Sequence, residues 1–141
     1  MTPVLAADEI MDLLDNIFPQ IHASGRVYSI DNVSAGEAVV RLSANELHLR
    51  PGGTVSGPSM MALSDLAAYV VILAHIGPEA LAVTTNLNIN FLRKPAPGDL
   101  LCTCRLLKLG KRLAVVDCSL AGEGDEDLVA HATATYSIPP R

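Results

Sequence analysis

Residues 58–76 read PSMMALSDLAAYVVILAHI, and their reading decides the fold. Pro58 suits the first turn of a helix, where its missing N–H costs nothing. Gly77 and Pro78 then stop the helix. Apolar side chains occupy nearly every face, so the spacing predicts a helix buried on most sides. Its longest apolar stretch, Leu66 to Ile76, is about half of the ~20 residues that a bilayer span requires. No membrane association is expected.

Downstream of this helix the period changes to two. In 82–92, Val83, Thr85, Leu87, Ile89 and Phe91 alternate with Thr84, Asn86, Asn88 and Asn90. In 128–138, Leu128, Ala130, Ala132, Ala134, Tyr136 and Ile138 alternate with His131, Thr133, Thr135 and Ser137. Both patterns predict half-buried strands. Residues 99–109 and 112–121 supply two more strands around Gly110-Lys111, and 122–127, GEGDED, form an acidic turn. Upstream, 25–34 and 37–45 read as strands, and 46–57 as a loop rich in Gly and Pro. Residues 8–18 place Ile10, Met11, Leu13, Leu14, Ile17 and Phe18 at helical spacing before Pro19. The order is helix, two strands, buried helix, four strands. A run of strands joined by short turns favours an antiparallel sheet, and a sheet curled around one apolar helix would bury it.

The 141 residues suit one domain, an N-terminal helical segment over 1–22 and a core over 23–138. Half of the residues are apolar and 18% are charged, a globular composition. The net charge of -5 gives no basic footprint for nucleic acid. The N-terminus carries acids early and no basic export signal, and the three cysteines are an odd count. Reduced thiols in a cytoplasmic protein are the expectation.

Asp65 is the informative side chain. It is the only formal charge between Arg50 and Glu79, in the second turn of the most apolar segment. An unpaired buried carboxylate is costly, so Asp65 is either paired, escaping on a polar stripe with Ser64, or chemically active. Ser56-Gly57-Pro58 open the same helix, where free N–H groups and the positive dipole end favour an anion or oxyanion. Gly57 and Asp65 stand eight residues, ~12 Å, apart along the axis. Both can act on one reacting atom only if a second subunit brings its helix alongside. Ser56 lacks a G-x-S-x-G elbow and suits a helix cap. The four histidines show no ligand spacing, so no metal is expected. His131 reads as solvated, and Cys102 and Cys104 as small core residues. Arg93, Lys94, Lys108, Lys111 and Arg112 flank strand ends and a turn. They are either solvated surface or contacts for a phosphate-bearing tail.

The run GTVSGPSMMALSDLAAY, followed by AVTTNLNINFLRKPAPGDL and KLGKRLAVVDCSL, resembles the PaaI-like hotdog thioesterases over about residues 37–138. The resemblance implies an α+β hotdog fold, a curved antiparallel sheet around one long helix. It implies a homodimer with active sites at the subunit interface, often paired into a homotetramer. Gly57 matches the glycine whose N–H meets the thioester carbonyl, and Asp65 the carboxylate that acts as base or nucleophile from the facing subunit. Thr84, or Thr85, matches a hydroxyl that helps to place water. Lys108, Gly110 and Lys111 match a stretch near the CoA tail. Two positions depart from the family pattern: Ser56 stands where many members have histidine, and Arg50 where many have asparagine. Arg50 could hold a substrate carboxylate or pair with Asp65. The expected activity is hydrolysis of an acyl-CoA, CoA being part of the substrate and no cofactor being needed. The rivals are a non-catalytic acyl-CoA-binding protein and, less favoured, a hotdog hydratase, which would need a His beside the Asp.

Overall fold

Ser56 and Gly77 frame the central helix. In the computed structural model, which describes residues 1–141, the chain forms α1 (Ala7–Ile17), β1 (Tyr28–Ser34), β2 (Glu37–Ser43), α2 (Gly57–Ile76), β3 (Val83–Phe91), β4 (Asp99–Leu109), β5 (Leu113–Gly122) and β6 (Ala130–Ser137). The Ser56 hydroxyl accepts the Ser59 N–H at 3.3 Å, capping the first turn of α2. Gly77 ends the helix at φ 93°, a left-handed conformation that favours glycine, with its N–H returning to Leu73 O. Short 3-10 turns at Pro19–His22 and Glu46–His48 fill two of the connections.

The six strands form one antiparallel sheet in the order β1-β2-β4-β5-β6-β3. It wraps α2, twelve of whose twenty residues are buried. This is the hotdog arrangement that the resemblance implied. The sheet's inner face is made of small side chains where the helix lies closest: Ala38, Cys102, Cys104, Ala114, Cys118, Ala132 and Ala134 are fully buried. They let α2 sink onto the strands, and the Cys104 thiol reaches Ala67 O on the helix at 3.2 Å. The cysteines are therefore core residues, and burial pushes the Cys104 thiol well above its usual range. Each fully buried Leu, Ile or Val on α2 contributes about 1.5–3 kcal/mol by leaving water. The helix is long and apolar enough to cross a bilayer, but here its apolar faces meet the sheet.

One face of α2 stays open. Pro58, Met61, Ala62 and Asp65 follow the i, i+3, i+4, i+7 spacing of a single stripe, and none of the four is buried. Ser64 does not share it; its hydroxyl is buried and donates to Met60 O at 2.9 Å.

The alternation read for 82–92 breaks at Thr85. The β3–β6 register shifts between Thr84 and Asn86, so Thr85 is the extra residue of a bulge. Thr84 pairs with Tyr136 and Leu87 with Ala134, both on the face that covers α2. Thr84 and Leu87 thus share the inner face, and Thr85 turns aside to donate to Thr135 O. His131 is not merely solvated: its Nε2 lies 2.5 Å from the Asp117 carboxylate on the outer face.

Candidate active site

Strand β6 carries Tyr136 inward, β3 carries Thr84 inward at the bulge, and α2 presents Asp65 to both. The Thr84 hydroxyl donates to Asp65 Oδ1 at 2.5 Å, and the Tyr136 hydroxyl reaches the same oxygen at 2.8 Å. Asp65 Oδ2 has no hydrogen-bond partner within the chain. A carboxylate fixed through one oxygen by two donors keeps its other oxygen aimed and available. Burial, and next the Asp65 charge, hold the Tyr136 phenol far above its usual range, so it stays a donor. Tyr69 stacks against the Tyr136 ring at 6.1 Å and ties its own hydroxyl to Ala80 O at 2.8 Å. The composition gave no signal for Tyr136, because it reads as one more inward residue of an alternating strand.

A groove of about 750 Å³ runs beside this carboxylate. Ile17, Phe18 and Ile21 form one wall, from the end of α1 and the turn after it. Ser59, Ala62, Asp65, Leu66 and Tyr69 of α2 line the groove as well. The groove is mostly apolar with a few convergent polar groups, which is the make-up of a small-molecule site.

Gly57 lies at the far end of the stripe. At the first helical position its N–H has no intrahelical acceptor. The Phe91 ring covers its Cα face, and a Cβ built on Gly57 would meet Phe91 Cζ at 3.2 Å. Ser56 stands as the helix cap described above, also donating to Ser59 Oγ at 2.9 Å. Arg50 is exposed and makes no contact with Asp65 of its own chain; only its backbone is engaged, with Thr54 and Gly53. Lys94, Lys108 and Lys111 are exposed without ion-pair partners, and Arg93 lies 3.7 Å from Asp127. The sequence-derived residues therefore form two groups in one chain: Asp65 with Thr84, and Gly57 with Ser56 and Arg50. Among the described residues, no cluster of three or more His, Cys, Asp or Glu side chains could hold a metal.

The profile of the thioesterase superfamily matches residues 52–135, which span the helix, the bulge and β6 up to Thr135. The chain belongs to that superfamily. A crystal structure of a candidate thioesterase from Silicibacter sp. TM1040 is 54% identical, covers 99% of this chain and 96% of its own, and superposes with a TM-score of 0.90. A candidate thioesterase from Ralstonia eutropha, described as related to phenylacetic acid degradation, is 30% identical over 85% of this chain and 90% of its own, with a TM-score of 0.76. A Streptococcus mutans protein solved with acetyl CoA shares the fold at 24% identity and a TM-score of 0.70, covering 81% of this chain and 90% of its own. The family places the chain among hydrolases, and the Asp65 cluster gives it a group suited to activating water.

Proposed function

We propose that this protein hydrolyses acyl-CoA thioesters at two sites, each completed by two copies of the chain. The observation that carries the proposal is the open stripe Pro58–Met61–Ala62–Asp65 on an otherwise buried helix, with a carboxylate held by Thr84 and Tyr136 at one end. Exposed Met61 (40%), Val83 (57%) and Phe91 (49%) flank it. β3 is also an edge strand with unpaired backbone groups on its outer side. A two-fold pairing of β3 edges would cover stripe and edge together.

Such a pairing runs the strands antiparallel, so the Phe91 end of one β3 meets the Val83 end of the other. Thr84 and Asp65 sit near the Val83 end, and Gly57 lies against Phe91. Asp65 thereby approaches Gly57 of the partner subunit, as the ~12 Å separation within one helix requires. Arg50, Arg93 and Lys94 belong to the Gly57 end. Leu113 pairs with Ser137, and Ser137 with Val83, so the hairpin with Lys108 and Lys111 belongs to the Asp65 end. Basic groups from both subunits then flank each site, where CoA phosphates need them against a net charge of -5 per chain.

In the reaction, Asp65 Oδ2 takes a proton from water as the oxygen attacks the thioester carbon. The carbonyl oxygen gains negative charge and accepts the N–H of Gly57 of the partner subunit at the positive end of α2. Collapse breaks the C–S bond, and the Asp65 carboxyl returns its proton to the leaving CoA thiolate. Direct attack by the carboxylate, followed by hydrolysis of the anhydride, uses the same atoms. The acetyl CoA bound to the Streptococcus mutans protein supports a CoA thioester as the ligand class. The unpaired cysteines support a reducing, cytoplasmic setting.

The test is release of free CoA thiol from short, long and aromatic acyl-CoAs by wild type and Asp65→Asn. Turnover that collapses in Asp65→Asn, with the oligomer intact, is the expected result. Binding without turnover across the panel would instead identify a non-catalytic acyl-CoA-binding protein.

A further inference from the structure

The groove beside Asp65 holds a second polar device that the hydrolytic step does not use. His48 lies on the 3-10 turn before α2 and is only 6% exposed. Its Nδ1 receives the backbone N–H of Asn45 at 2.9 Å. A backbone N–H can only donate, so Nδ1 carries no proton and the ring proton sits on Nε2, a tautomer assigned from this network. Nε2 lies 3.1 Å from Ser24 Oγ and therefore donates to it. That contact uses an acceptor site of the Ser24 hydroxyl and leaves its O–H proton without a partner in the chain. Ser24 and His48 both line the groove, among Phe18, Ile21 and Leu47.

The position along the groove gives this donor a role. Ser59 Oγ contacts His48 O at 3.4 Å, so His48 stands beside the first turn of α2. Ser59 precedes Asp65 by six residues, ~9 Å along the helix. Ser24, His48 and Asp65 line one groove, so an acyl group whose carbonyl is held at Asp65 can extend within it towards Ser24.

We propose that Ser24, fixed as a hydrogen-bond donor by His48, reads the far end of the acyl group and favours one that carries an oxygen acceptor there over a plain hydrocarbon end. This rests on the thioesterase reading for the placement of the carbonyl. An apolar wall with one oriented donor leaves that donor unpaired when a methyl end fills the groove, and an unpaired polar group disfavours that complex.

The experiment uses the full chain and a matched series of straight-chain acyl-CoAs ending in methyl, hydroxyl or methoxy. Methoxy only accepts, so it separates a donor in the protein from an acceptor. Thiol release gives kcat/KM for each, and calorimetry on the Asp65→Asn protein gives affinity without turnover. Hydroxyl and methoxy ends are expected to exceed methyl by several-fold to about tenfold, as one neutral hydrogen bond provides. Ser24→Ala brings the ratio near one, Ser24→Thr retains it, and Tyr28→Phe, which alters the other unengaged hydroxyl of the groove, leaves it in place. Ser24→Ala keeps the Ser24 carbonyl that accepts the Asn45 side chain but removes the acceptor of His48 Nε2–H, so a thermal melt accompanies the ratio to show that the variant is folded. A ratio unmoved by Ser24→Ala, or one that follows Tyr28→Phe, overturns the assignment. Absence of turnover throughout would remove the hydrolytic reading alone, because the calorimetric ratio still decides the role of Ser24.

Discussion

The hydroxyl of Tyr136 lies 2.8 Å from Asp65 Oδ1, across 71 residues of sequence, and the same hydroxyl is 2.9 Å from the Asp65 backbone oxygen. Tyr136 therefore shares its single proton between the carboxylate and the backbone oxygen of the helix turn that bears it. Asp65→Asn should lower kcat at least a hundredfold, since a general base contributes about that much. Tyr136→Phe and Thr84→Ala each remove one hydrogen bond to the charge, worth about 1.5–3 kcal/mol. We expect each to lower kcat roughly tenfold to a hundredfold with a smaller change in KM. Steady-state kinetics on the three variants checks this, and undiminished kcat in Tyr136→Phe would remove that residue from the site.

Tyr136 also sets a pH dependence of stability. Its phenol is raised above the usual value of about 10 by burial first and then by the Asp65 charge. A raised folded value means that the stabilisation is complete below the unfolded pKa. It is lost as the pH climbs from there towards the folded value. In that window unfolding releases a proton, so stability declines by at most ~1.4 kcal/mol per pH unit for this group. Tyr136→Phe should flatten the alkaline limb of stability above about pH 10 by up to that slope. Tyr69, raised by burial, keeps its share in both proteins. Denaturant melts at several alkaline pH values measure the difference, and parallel limbs would contradict it.

The helix was legible because Pro58 and Gly77 are chemical punctuation and the apolar run between them suits nothing on a surface. The strands were legible from alternation, and β4 spans 99–109 as read. Alternation failed at Thr85 because a bulge is an extra residue, not a change of residue type; Thr85 and Leu87 look like one face and are two. Tyr136 was invisible for a related reason. Its inward direction follows from period two, but its partner is fixed by the sheet order, in which β3 leaves its neighbour in sequence and pairs with β6. The separation of Gly57 from Asp65 needed only the rise of a helix, so the expectation of a second subunit could be drawn from the sequence. That Arg50 stays clear of Asp65 in its own chain could not, since both loop and helix end had to be placed first.

A stabilising contact outside the site ties the sheet to the helix end. His75 Nε2 accepts the Gly36 N–H at 2.9 Å, and His75 Nδ1 donates to Val71 O at 2.7 Å. Gly36 sits at φ 70° in the β1–β2 turn and cannot turn its N–H elsewhere without changing that turn. His75→Ala should cost about 1–2 kcal/mol, while kcat stays within about twofold because His75 lies two turns or more beyond Asp65. Thermal melts and thiol-release rates on the same preparation check both halves.

Gly57 is constrained by space and not by its backbone angles, since its φ is not among the positive values. A methyl there would meet Phe91 Cζ at 3.2 Å, so the half-exposed ring must yield by a few tenths of an ångström. Gly57→Ala keeps the N–H, so it should fold and lose several-fold to about tenfold in kcat/KM through displacement of that ring. Phe91→Leu combined with Gly57→Ala should recover part of the loss. An additive double variant would mean that the ring does not transmit the effect.

The proposed sharing of the site between two subunits makes a prediction that neither residue makes alone. Gly57→Pro removes the N–H and keeps a helical φ, while also placing a Cβ against Phe91 and a proline before Pro58. It supplies an intact Asp65, whereas Asp65→Asn supplies an intact Gly57. Each variant alone should be nearly inactive. Unfolded and refolded together in equal amounts, half of the dimers are mixed, and each mixed dimer holds one site with both native groups. About a quarter of wild-type activity should return if the two-fold pairing is right. Subunit mixing followed by the thiol-release assay decides it. Activity that stays at the level of the separate variants would mean that Gly57 and Asp65 serve the same chain, and the ~12 Å between them would then have to be bridged by the substrate itself.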